Sequence, residues 1–203
     1  MHTKENIIFL GDSYTVGEDV NPLENFPNKL VQKLSHLTQQ QYNATIIAKT
    51  GWTTGELLQE LSNSQTANGF KIATLLIGVN NQYRGLDIEI YKNEFEELIK
   101  KAVAYTNNPH SVIVISIPDW GHMPFANNRD KEKISQEINQ YNEINKTFAL
   151  QHNTQYLEIT SGNRSRSIDR TFIANDNLHP SAKEYEIWSD DLLTLITNKK
   201  LHL

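Results

Sequence analysis

The chain has 203 residues, a formal net charge of −5 and no cysteine. A chain of that size buries roughly 70% of the surface its unfolded state exposes, so it needs no metal or disulfide staple, and with no compositional shift to mark a linker a single domain over residues 1–203 is expected. The absence of cysteine excludes disulfides, thiolate catalysis and cysteine metal sites, and the absence of any basic run or stripe argues against nucleic acid and anionic membranes as partners.

The N-terminal MHTKEN passes directly into an apolar run with no signal region, which points to a cytoplasmic location if Met1 is the native start. NIIFLG from Asn6 reads as the first buried strand, and Leu30, Leu34 and Leu37 recur at helical spacing after it. YNATIIAKT from Tyr42 is the second strand, followed by a helix marked by Leu57, Leu58 and Leu61. IATLLIG from Ile72 is the third, an apolar run far too short to cross a bilayer, so no stable membrane association is expected. A long amphipathic segment follows, with Ile88, Tyr91, Phe95, Leu98, Ile99 and Val103 on one stripe. SVIVISI from Ser111 precedes a further helix marked by Ile134, Ile138, Tyr141, Ile144 and Phe148. The weaker QYLEI from Gln155 leads into TSGNRSRSIDR, which reads as a mobile polar loop, and Tyr185, Trp188, Leu192, Leu193 and Leu195 mark the last helix. Strands alternating with helices, joined by right-handed crossovers, require a three-layer α/β/α sandwich around a five-stranded, mainly parallel sheet. Function in such a sheet sits outside the C-terminal strand ends, where the strand order reverses.

Chemistry-bearing residues do cluster at those ends. Ser13 in GDSY follows the first strand, where a turn into a helix leaves backbone N–H groups unpaired; it is either a nucleophile or an ordinary turn residue. Gly51 follows the second strand and either forms a turn or brings its N–H close to a ligand. Asn80, in GVNN after the third strand, carries an amide able to donate a hydrogen bond. In NDNLHPSAKEYEIW, Asp176 and His179 stand three apart, a spacing that lets a carboxylate hold an imidazole N–H, or simply marks a helix start. Each signal alone is weak. Together they assemble a nucleophile, donors for a developing oxyanion, and a base with its orienting acid.

This set of blocks resembles the SGNH hydrolases of the GDSL esterase/lipase type: GDSY matches the nucleophile block, Gly51 the glycine block, GVNN the Gly-x-Asn-Asp block and DNLHP the Asp-x-x-His block, over residues 11–180. The resemblance implies the flavodoxin-like sheet of that family and no cofactor. It also implies a Ser13, His179 and Asp176 triad, an oxyanion hole from the Ser13 and Gly51 N–H groups and the Asn80 amide, and hydrolysis of a small acyl ester through an acyl-enzyme. The chain departs from the family at Asn81, where Asp is usual; on sequence alone, Asn81→Asp is expected to change kcat far less than Asn80→Ala.

Asp12 is expected to make structural hydrogen bonds. Trp52, Trp120, Met123 and Phe125 are candidate pocket residues, and such bulk beside the oxyanion donors favours short acyl chains, including acetyl esters of carbohydrates. Within the hydrolases, lysophospholipase and thioesterase activities are alternatives. Outside them, a flavodoxin-like module holding phosphate on SYTVGE is the rival. His2, His36, His110, His122, His152 and His202 show no metal-ligand spacing and read as surface residues.

Overall fold

The computed structural model describes residues 5–201. Strands β1 (Glu5–Gly11), β2 (Tyr42–Ala48), β3 (Ile72–Leu76), β4 (Val112–Ile115) and β5 (Gln155–Leu157) form one parallel sheet in the order β2-β1-β3-β4-β5. The three central strands carry near-continuous aliphatic runs because helices cover both of their faces, whereas β2 and β5 at the edges are only half-buried. Helix α2 (Phe26–Thr38) packs against α8 (Ala182–Asn198), while α3 (Thr54–Asn63), α5 (Ile88–Thr106) and α6 (Lys131–Gln151) pack in a row. Right-handed crossovers place these two groups on opposite faces.

The chain runs from β1 outward to β2 and then returns past β1 to β3, so the strand order reverses between β1 and β3. Short helices open directly from those two strand ends: α1 (Ser13–Val16) after β1 and α4 (Val79–Tyr83) after β3. Asp12 caps α1, its Oδ1 accepting the Tyr14 N–H at 3.0 Å. This carboxyl is 1% exposed and its Oδ2 has no partner among the described residues. Burial pushes its pKa up to about 7, against the backbone N–H bonds that favour the charged form.

Two sequence expectations are corrected. The segment from Thr160 is not a mobile loop: Thr160–Arg166 forms a helix, α7, and its two arginines anchor it. The Arg164 Nε donates to the fully buried Asp119 at 2.8 Å, and Arg166 makes a two-pronged pair with the fully buried Glu184 at 2.7 and 2.8 Å. Glu184 also accepts the Trp188 indole N–H at 2.9 Å, which ties the segment to α8. Polar composition concealed this because the partners lie far along the chain. Leu37 sits near the end of α2 with its side chain exposed rather than on the buried stripe with Leu30 and Leu34.

Arg166→Ala leaves the buried Glu184 carboxylate unpaired and should cost about 3 kcal/mol in urea unfolding; a loss of about 0.5 kcal/mol, typical of an exposed pair, would show that Glu184 does not depend on it. For Asp12, a folded pKa above the unfolded 3.8 means that its contribution to stability is complete below that value and lost as pH rises through about 7. Asn cannot ionise, so calorimetry should find the Tm of Asp12→Asn gaining on that of the parent chain from about pH 4 to about pH 8. A constant difference over that range would count against a proton held on Asp12.

Candidate active site

The turn at residues 172–180 is closed by the Ala174 N–H donating to the His179 carbonyl at 2.8 Å and by an antiparallel bridge between Ile173 and Pro180. Inside it the Asp176 Oδ1 accepts the Leu178 and His179 N–H groups, both at 2.9 Å, which turns Oδ2 onto the His179 Nδ1 at 2.5 Å. Burial pushes the Asp176 carboxyl up, but the bonds from the imidazole and the two backbone N–H groups together outweigh it and hold the group below the usual carboxylate range. An ionised Asp176 requires the His179 proton on Nδ1, leaving Nε2 as an acceptor. Nε2 lies 2.9 Å from the Ser13 Oγ. The imidazole is 7% exposed and its ring packs edge-on against Tyr14 at 5.4 Å, which limits its rotation. Asp19, in the loop beyond α1, accepts the Asp176 N–H at 3.0 Å and ties the two loops together. No motif announced Asp19, whose partner is 157 residues away.

The candidate oxyanion donors face the same place. Gly51 adopts φ +84°, a left-handed turn closed by the Trp52 N–H bonding to the Lys49 carbonyl at 3.1 Å, and a side chain there would strain the backbone. Its carbonyl accepts from the Arg84 guanidinium at 2.5 Å, which holds the following Gly51–Trp52 peptide. Among the described residues, the Ser13 and Gly51 N–H groups donate to nothing. The Asn80 Nδ2 donates one hydrogen to the Trp52 carbonyl at 3.0 Å, which sets the amide orientation and leaves its second N–H for the cleft that Asn80 lines.

That cleft has a volume of about 220 Å³ and is lined by Val79, Tyr83, Trp120, Phe125 and Leu178 together with Ser13 and His179. Trp120 is the middle ring of three, 5.4 Å from Tyr83 and 6.1 Å from Phe125, both in edge-to-face contact. The Gln82 Oε1 accepts the Trp120 indole N–H at 2.7 Å. Of the four pocket residues expected from sequence, Trp120 and Phe125 line the cleft. Met123 is buried against the core instead, and Trp52 contributes its carbonyl rather than its ring to the site. Tyr83 was missed, although it stands three residues after Asn80, one helical turn along the same face.

The remaining histidines stand apart. His36, His110 and His122 are exposed, but His152 is half-buried against Glu96 at 3.0 Å, a correction to the surface expectation; His2 and His202 lie outside the described residues. Among the described residues, no group of three or more His, Asp or Glu is arranged to hold a metal, and no helix is long and apolar enough to cross a membrane.

The model of the GDSL-like Lipase/Acylhydrolase family matches residues 9–187. No curated protein matches significantly by sequence. Among solved structures, a member of the lipolytic G-D-S-L family from Veillonella parvula has a TM-score of 0.76 at 18% identity, covering 96% of this chain and 99% of that one. A lipase/acylhydrolase from Enterococcus faecalis has a TM-score of 0.74 at 18% identity, covering 96% of each chain. An acetylxylan esterase from Geobacillus stearothermophilus has a TM-score of 0.74 at 16% identity, covering 95% of this chain and 94% of that one. Those identities carry the fold alone; the family-model match spans the strand ends, the aromatic cleft and the loop of Asp176 and His179, and by it the chain belongs to the GDSL-like lipase/acylhydrolase family, a family of ester hydrolases.

Proposed function

We propose that this esterase hydrolyses short-chain acyl esters, acetyl esters of carbohydrates among them, with Ser13 as nucleophile. The observation that carries the reading is the continuous line of bonds from Asp176 through His179 to the Ser13 Oγ in the aromatic cleft. As Oγ attacks the ester carbonyl carbon, its proton passes to the His179 Nε2, and Asp176 stabilises the imidazolium that results. Negative charge develops on the carbonyl oxygen. The Ser13 N–H, the Gly51 N–H and the free N–H of Asn80 are the donors in place to receive it. Collapse of the tetrahedral adduct breaks the ester C–O bond, and the leaving alkoxide takes the proton back from Nε2. A water deprotonated by His179 then hydrolyses the acyl-enzyme by the same steps in reverse.

A cleft of about 220 Å³, closed on one side by three interlocked rings, has room for a short acyl chain and little more. The likeness to an acetylxylan esterase is in keeping with an acetyl group on a sugar, and the half-exposed rings of Tyr83 and Phe125 offer a surface on which a sugar can stack.

Ser13→Ala should retain the fold and lose nearly all ester hydrolysis together with fluorophosphonate labelling, read by intact mass; labelling at full stoichiometry would remove Ser13 from the chemistry. Across acetyl, butyryl and octanoyl esters and acetylated sugars, kcat/KM should peak at the two shorter acyl groups. Phe125→Ala should move the peak toward octanoyl by opening the cleft. A parent enzyme that already prefers octanoyl would overturn the short-chain assignment.

A further inference from the structure

Asn81 directly follows the amide donor Asn80, yet its side chain points away from the cleft and is 1% exposed. Its Oδ1 accepts the Thr54 N–H at 3.0 Å, and its Nδ2 donates to the Thr54 Oγ1 at 2.7 Å. The Thr54 hydroxyl, fully buried, has one proton, and it donates that to the Glu94 Oε2 at 2.5 Å. The direction of each bond in this chain follows from the neutral amide at its start: Nδ2 can only donate to the Thr54 Oγ1, so the hydroxyl proton goes to Glu94. Gly55 makes room for the arrangement: a Cβ there would fall 2.8 Å from the Glu94 Oε1. Thr54 stands three residues after Gly51, and the Asn80 amide is itself bonded to the Trp52 carbonyl between them.

We propose that Asn81 is a positioning residue whose neutral amide, clamped on Thr54 and relayed to Glu94, holds the Asn80 amide and the Gly51 N–H, two of the three donors of the oxyanion site, in register. The assignment rests on the serine-esterase reading above. Its physical basis is that the donors come from different loops, and a displacement of about 1 Å between such groups costs up to about 100-fold in rate. The same bond directions give Asn81→Asp a definite cost of its own. A carboxylate at this position has no hydrogen for Thr54, so it and the half-buried Glu94 compete for the single hydroxyl proton.

The test is a double-mutant cycle on a short acyl ester, with fluorophosphonate labelling of Ser13 measured in parallel. Asn81→Asp should lower kcat about tenfold or more with KM within about twofold, since the loss falls on the transition state. Glu94→Gln, which still offers a carbonyl oxygen to Thr54, should cost less than about threefold. Added to Asn81→Asp it should restore most of kcat, because the Gln amide can donate to the hydroxyl while the hydroxyl donates to the new carboxylate. If Asn81→Asp does not fold, the isosteric Thr54→Val should give the same fall in kcat at constant KM, with Thr54→Ser retaining activity. Parent-level kcat in Asn81→Asp, or a deficit that Glu94→Gln leaves untouched, would overturn the proposal. A parent enzyme left unlabelled at Ser13 would instead overturn the serine-esterase reading, and the proposal with it.

Discussion

The reversal of strand order between β1 and β3 is the constraint on which the site depends. All the crossovers share one hand, so a chain that winds outward from β1 to β2 and then back past it must place successive helices on opposite faces of the sheet. The loops leaving β1 and β3 therefore diverge and open a gap at the sheet edge. Ser13 stands at one side of that gap and Asn80 at the other, with the Gly51 turn arriving from β2. The burial of Ile7 to Leu10 and of Ile72 to Ile77 makes these strand ends rigid, so the backbone donors they carry have fixed directions.

Within that frame, the direction of each hydrogen bond decides what each side chain can do. Asp176 accepts three N–H groups and can offer His179 nothing but an acceptor, which leaves Nε2 free to take the proton of Ser13. The Trp52 carbonyl takes one amide hydrogen of Asn80 and thereby aims the other. Behind the cleft, the Thr54 hydroxyl can point only one way, because Asn81 has already occupied it as an acceptor. His179, Thr54 and Asn81 are buried and Asn80 and Trp52 half-buried, where a misdirected donor costs its desolvation. The site is accordingly held by satisfied polar contacts, and apolar packing holds the frame around it.

Buried charge serves the same end farther out. Asp119, in the turn beyond β4, and Glu184, on α8, are both fully buried, and both are neutralised by arginines of α7. The turn that Asp119 anchors leads straight into the wall of the cleft, where Trp120 stacks between Tyr83 and Phe125. A segment that looks like surface chain by composition thus helps to fix the shape of the aromatic cleft.

Sequence alone was sufficient for the strand and helix alternation, the layering, and the four blocks that bear chemistry, because each of these depends on periodicity or on residues close along the chain: Leu57 and Leu61 four apart, Asp176 and His179 three apart. The Thr53–Glu56 cap that opens α3 is a contact of the same local kind. What only the tertiary structure decided is every relation between distant segments. Met123 turned inward while Trp120 and Phe125 faced the cleft, although all three share one short loop with no regular period to orient them. Arg164 and Arg166 found buried carboxylates 45 and 18 residues away, and Asn81 found Thr54 27 residues back. A residue type declares which bonds it can make; which partner it meets is set by the packing of the sheet and its helices, because burial leaves each polar group only the partners within reach.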